Sequence, residues 1–209
     1  MRVIPFIYDD IDDLYANSFI VIDNNDCIVV DPSRDYDGLV NYINKNQLNL
    51  KAILLTHAHF DHIRGVDRLV KAFNAPVYIG FYEADSLADP HKNLSFYMSG
   101  LPVYYDKEVE TVSDKQELHI LSEPITVLET PYHTMGSVCY YLEDSKILFS
   151  GDSLFKNSIG RDDLVTSIPY KKNSSLAKLM ALPEETKVYP GHGAFTSIGE
   201  EKKYNPFVK

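Results

Sequence analysis

Residues 53–65 read ILLTHAHFDHIRG, and no other stretch constrains the fold as tightly. KAILLTH is a continuous apolar run of the kind buried on both faces of a sheet. It stops at Thr56, and the next six positions hold His57, His59, Asp61 and His62, in a chain with seven histidines. Beyond them Ile63, Val66, Leu69, Val70 and Phe73 recur at helical spacing. A strand, a loop crowded with nitrogen and carboxylate donors, and a helix therefore follow one another directly. A polar loop that caps the helix, with Asp61 in its first turn, would account for this stretch taken alone.

The remaining chain repeats the scheme. NSFIVID and CIVVDPS flank Asn24-Asn25, a hairpin signal because Asn tolerates positive φ. DYDGLVNYINKNQL and SSLAKLMAL read as helices, and APVYIG, ELHIL, ITVLETP, SVCYYLE, KILFSGD and KVYPG as short strands. The segment SIGEEKKYNPF reads as a helix capped by Ser197, with Glu200 three residues on. Residues 82–108 break the rhythm with Pro90, Gly100 and Pro102. An excursion of that length belongs to a functional or a disordered loop; its Tyr82, Asn93, Phe96 and Tyr97 are candidates to wall the pocket, with a packed surface loop as the alternative. No linker separates the halves, so residues 1–209 are expected to form one α/β domain of two packed sheets with outer helices.

Three further residues fall at strand ends: His133 in LETPYHTMGS, Asp152 in LFSGDSLF and His192 in VYPGHGAF. If the strands share a direction, their loops meet at one edge, where rigid strands position the side chains. A four-coordinate ion takes three or four protein ligands, and here there are more than one ion can use. The set divides into His57, His59 and His133 for one ion and Asp61, His62 and His192 for a second, with Asp152 bridging. Nitrogen and oxygen donors without thiolate suit two divalent ions, zinc first, with iron or manganese also accepted. A water between two such ions ionises near neutral pH and becomes a nucleophile. His91 and His119 lie outside this pattern and are expected to be ordinary surface or core residues.

The THAHFDH motif, followed in order by single His, Asp and His motifs, resembles the HxHxDH signature of the metallo-β-lactamase superfamily over nearly the whole chain. The resemblance implies a four-layer αββα sandwich with a dinuclear site at one edge. Within that superfamily GDSLFKNSIGRDDL, YPGHG and TSIGEEKKYNPF are most similar to the short bacterial branch of the glyoxalase II group, the hydroxyacylglutathione hydrolases. Two departures stand beside His133: the usual TPGHTPGS reads TPYHTMGS, with Tyr132 for Gly and Met135 for Pro. With only the short run from Gly193 to Lys209 after His192, the helical glutathione-binding domain of longer members is not expected here.

The resemblance implies hydrolysis of an acyl thioester by a metal-bridging hydroxide, with Asp61 a metal ligand that also orients the hydroxide. Lys156 and Arg161 are candidates to pair with a substrate carboxylate. A persulfide dioxygenase with one Fe(II) is the nearest rival, disfavoured by the full second donor set. A β-lactamase is disfavoured because the familiar zinc lactamases carry cysteine where Asp152 stands. A net charge of −10 opposes a nucleic-acid surface. No apolar run approaches the roughly 18 residues of a membrane span, and the N-terminus lacks the pattern of a signal peptide. Cys27 and Cys139, in strand-like runs, are expected to be reduced core residues, which suits a cytoplasmic protein.

Overall fold

The computed structural model describes residues 1–8 and 14–208. One six-stranded sheet holds β1 (Arg2–Phe6), β2 (Ser18–Asp23), β3 (Asp26–Val30), β4 (Asn49–Leu55), β5 (Val77–Gly80) and β6 (Glu110–Val112), adjacent in chain order. The other holds β7 (Glu117–Leu118), β8 (Ile125–Glu129), β9 (Val138–Leu142), β10 (Ile147–Gly151), β11 (Lys187–Pro190) and β12 (Thr196–Ser197), likewise in chain order from one edge to the other. Helices α1 (Gly38–Lys45), α2 (Phe60–Ile63), α3 (Val66–Phe73), α4 (Ser95–Met98), α5 (Lys172–Met180) and α6 (Ile198–Tyr204) complete the chain.

Period-two alternation sorts the apolar side chains into three layers. Ala52 and Leu54 of β4 face the second sheet, against Val138, Tyr140 and Phe149. Ile53 and Leu55 of the same strand face outward onto Leu39, Ile43, Val66 and Leu69 of α1 and α3. The apolar run in KAILLTH is thus buried on both faces, as its composition demands. On the far side, Tyr141, Leu148 and Val188 pack under Leu176, Leu179 and Ile198 of α5 and α6. The order is helix, sheet, sheet, helix. Across the middle layer the Tyr140 hydroxyl donates to the Leu55 carbonyl at 2.9 Å, tying β9 to the end of β4.

The strand directions decide where the loops go. β3 and β4 are parallel, and so are β10 and β11. β8 and β10 each run antiparallel to β9, so β8, β10 and β11 share a direction. The chain segments that follow these strands leave from common edges, as the sequence pattern requires.

Some elements depart from the sequence reading. The helical pattern after Asp61 is two pieces, α2 and α3, rather than one helix. The break lies at Gly65, whose N–H donates to the Pro32 carbonyl and whose missing Cβ leaves room for the Arg34 and Pro32 carbonyl oxygens. ELHIL contributes only the two residues of β7. Ser197 caps α6 by accepting from the Glu200 N–H at 3.2 Å, as the capping pattern predicts.

Cys27 and Cys139 are both buried and unpaired, in separate layers. Burial pushes the Cys27 thiol up to about 12 and the Cys139 thiol to about 11. Neither forms thiolate at pH 8. Iodoacetamide at that pH should leave both untouched in the native protein and label both in denaturant, with mass spectrometry as the readout.

Candidate metal centre

Five of the seven donors expected from the sequence follow a strand end, and the other two lie on a short helix. β4 ends at Leu55 and delivers His57 and His59; α2 adds Asp61 and His62. β8 leads into His133, β10 into Asp152 and β11 into His192. The structure brings all seven together. His59 Nδ1 lies 3.1 Å from His57 Nε2 and 3.0 Å from His133 Nε2. His192 Nε2 lies 3.1 Å from Asp61 Oδ2. Asp152 sits between the groups, with Oδ1 3.3 Å from His62 Nε2 and Oδ2 3.5 and 3.6 Å from the Nε2 atoms of His133 and His192. Three sets have donor atoms within 4.8 Å of one another: His57–His59–His133, His57–His62–Asp152 and Asp61–His62–His192.

Two buried atoms show that hydrogen bonding alone does not complete this cluster. His62 Nε2 and Asp152 Oδ1 have no hydrogen-bond partner among the described residues. Leaving a buried polar atom unpaired costs roughly 1–3 kcal/mol, more if charged. Both point into the middle of a nitrogen and carboxylate cluster, so the donors fit a divalent ion. Burial, helped by the neighbouring imidazoles, holds His57 well below the usual histidine range, and burial with His133 brings His59 down to about 3. Both rings keep a lone pair available at neutral pH. Burial also disfavours protonated His62, but Asp31, Asp152 and Asp61 outweigh it and push that ring well above its ordinary value.

The far nitrogen of four rings is fixed. His57 Nδ1 lies 3.1 Å from Thr56 Oγ1, His59 Nε2 3.0 Å from Thr166 Oγ1, and His62 Nδ1 2.9 Å from Asp31 Oδ2. His133 Nδ1 donates to the Arg161 carbonyl at 2.8 Å. Such partners orient a ring and fix its tautomer.

Asp31 and Glu83 were not singled out in the sequence. Asp31, fully buried, accepts from the Thr56 N–H at 2.8 Å, from Thr56 Oγ1 at 2.7 Å and from His62. It directly follows the apolar strand CIVV, the same strand-end placement that marked Asp152, so its signal was present. Glu83 accepts from the N–H of Ala58 at 2.9 Å and of Gly136 at 2.8 Å, stapling the His57–His59 loop to the His133 loop. Its position within the irregular 82–108 stretch concealed it.

Tyr132 and Met135 separate in role. Tyr132 is fully buried and its hydroxyl donates to the Ser153 carbonyl, locking the His133 loop to the Asp152 loop. Met135 is exposed. Gly191 marks a close approach: a Cβ there would lie 2.3 Å from Asp152 Oδ1 and 2.7 Å from His62 Cε1, so PGHG needs its first glycine. His91 and His119 are exposed, as expected.

A cavity of about 300 Å³ opens onto His59, Asp61, His133, Asp152 and His192. Residues 82–108 do contribute a wall, through Leu94 and Met98 rather than the four residues named from the sequence. Asn93 is buried as a strut, its Nδ2 donating to the Val103 carbonyl at 2.8 Å and its own carbonyl accepting from the Phe60 N–H at 2.9 Å. Phe96 and Tyr97 are exposed, and Tyr82 lines a different cavity. Arg161 lines the cavity but forms a two-pronged pair with Asp163 at 2.9 and 3.1 Å. Lys156 is exposed and outside the lining.

Residues 11–192 match the model of the metallo-beta-lactamase superfamily. The chain belongs to that superfamily. It is 37% identical over 196 residues to the probable metallo-hydrolase YqgX of Bacillus subtilis (strain 168), covering 93% of each chain. It is 32% identical over 195 residues to the hydroxyacylglutathione hydrolase GloC of Haemophilus influenzae, covering 91% of each. Among solved structures it resembles BLEG-1 B3 metallo-beta-lactamase at a TM-score of 0.93 and 36% identity, with 99% of each chain covered. A di-iron-bound form of TTHA1623 follows at 0.86 and 33%, covering 98% of this chain and 99% of that one. Fold and family are those implied by THAHFDH, and the class is that of a metallo-hydrolase. No helix among the described residues is long and apolar enough to cross a membrane.

Asp31→Ala removes the partner of His62 Nδ1 and two bonds that hold Thr56. It should weaken divalent-metal binding by about 10–100-fold, measured by competition with a chromophoric chelator. Unchanged affinity would show that Asp31 orients nothing.

Proposed function

We propose that the chain is a two-metal hydrolase of acyl thioesters. The observation that carries this reading is the position of Asp152, within 3.6 Å of donors from both the His133 and the His62–His192 sides. That position fits a carboxylate shared between two ions. The di-iron form of TTHA1623, a relative at 33% identity, supports the count of two. The name of GloC, at 32% identity, supports the thioester. Zinc, iron and manganese all suit the donor set.

Divalent ions bound there supply Lewis-acid polarisation of a carbonyl and lower the pKa of water to near neutrality. The chain does the rest. His57, His59 and His133 form one donor group, and Asp61, His62 and His192 the other. Asp61 also reaches the cavity surface, where its carboxylate orients the attacking water by accepting a hydrogen. Phe60 and Leu94, both nearly fully buried, keep bulk solvent from the reacting carbonyl. The second donor group supports hydrolysis over a dioxygenase that needs a single iron. A small-molecule substrate suits both the cavity and the acidic net charge, which disfavours nucleic acid.

The test is hydrolysis of lactoylglutathione beside a β-lactam and glutathione persulfide, with oxygen uptake followed for the last. Thioester cleavage should dominate, disappear with chelator and return with zinc, iron or manganese. Cleavage of the β-lactam alone, or oxygen uptake with the persulfide, would overturn the reading.

A further inference from the structure

We infer that the cavity beside the metal donors receives an uncharged, apolar acyl group and selects against acyl groups that carry a carboxylate. The inference rests on the thioester reading above and names its substrate class. Apart from the donors, the wall is largely apolar, with Phe60, Leu94, Met98, Phe155, Ile159 and Leu164 among its members. They come from three separate stretches of the chain, so the apolar character belongs to the whole wall and not to one loop.

Away from the metal donors, the wall offers little of the charge that a carboxylate on the acyl chain would need. Arg161 is the only basic side chain in the lining among the described residues apart from the histidines. Its guanidinium already pairs with both oxygens of Asp163. Asp162, next to it, is paired with Lys172 at 2.6 Å. Beyond the metal donors, an incoming carboxylate would meet apolar carbon, with Arg161 shared with Asp163 as its one basic neighbour in the lining among the described residues. Lys156 lies outside the cavity and cannot offset that.

Size sharpens the class. At roughly 30 Å³ per non-hydrogen atom, the share of a water in the liquid, about 300 Å³ admits on the order of ten such atoms. Setting aside the thioester group, this leaves space for a short acyl chain of about four to eight carbons. Each methylene that leaves water for this wall should raise the specificity constant roughly fourfold until the cavity is full.

The experiment uses acyl thioesters of one uncharged thiol, N-acetylcysteamine, so that only the acyl group varies. The metal-loaded protein is assayed with acetyl, butyryl, hexanoyl and succinyl derivatives. Expected results are a rise in kcat/KM of at least about tenfold from acetyl to hexanoyl, and succinyl at least about tenfold below butyryl. Met98→Lys, at the half-exposed rim of the wall, should raise the succinyl-to-butyryl ratio by about tenfold. Arg161→Ala should leave that ratio within about twofold. A flat or falling acyl series, succinyl at or above butyryl, or collapse of the succinyl rate in Arg161→Ala would overturn the inference while leaving thioester hydrolysis intact. If no thioester here turns over and lactoylglutathione also fails, the thioester reading falls and takes the inference with it.

Discussion

The His62 ring, fully buried, is gripped at one nitrogen and left open at the other. Asp31 holds Nδ1 at 2.9 Å, while Nε2 faces Asp152 Oδ1 at 3.3 Å without a hydrogen bond. The same Asp31 carboxylate binds the backbone and side chain of Thr56, the residue directly after β4, where the donor loop begins. One buried anion thereby fixes the start of the first histidine pair, the orientation of a third ring and the end of β3. The surrounding layers serve that arrangement. β3 and β4, parallel and buried on both faces, set the separation of Asp31 and Thr56, and the second sheet brings Asp152 opposite.

A cluster of this kind is costly to bury, and the loops around it are held accordingly. Glu83 staples two donor loops through the backbone of Ala58 and Gly136. Tyr132 anchors a third contact to Ser153, and Asn17 donates to the carbonyls of Pro190 and Gly193 on either side of His192. None of these groups offers a donor to the cluster itself. They remove conformational freedom from the loops that do, so that the donors stand ready instead of being gathered by the metal.

Much of this was legible in the sequence, and the physical reasons differ by residue. His57, His59, His133, Asp152 and His192 could be read because each is a titratable side chain placed just after an apolar run, and strand ends of one direction converge. Asp31 obeys the same rule, directly after CIVV, but a lone carboxylate beside Pro32 has a ready local explanation and no second donor next to it in the sequence. Glu83 could not be found that way, because its partners are backbone N–H groups, which every sequence possesses. The break between α2 and α3 depends on how closely Gly65 meets Pro32, a tertiary contact that helical spacing does not encode. The 82–108 segment does supply part of the pocket wall, but through side chains whose direction depends on backbone conformation. Leu94 adopts a left-handed φ of 66° beside the buried Asn93 strut, and Leu94 and Met98 line the cavity while Phe96 and Tyr97 stay exposed.

The proposed two-metal site depends on Asp152, which stands between the two donor groups. The most direct measurement is the metal content of purified protein reconstituted with zinc, or with iron under anaerobic conditions, determined by elemental mass spectrometry against protein concentration. Two equivalents per chain in the wild type, falling to one or fewer in Asp152→Ala with the fold retained by circular dichroism, is the expected result. A fully active wild-type protein that holds no more than one equivalent would contradict it.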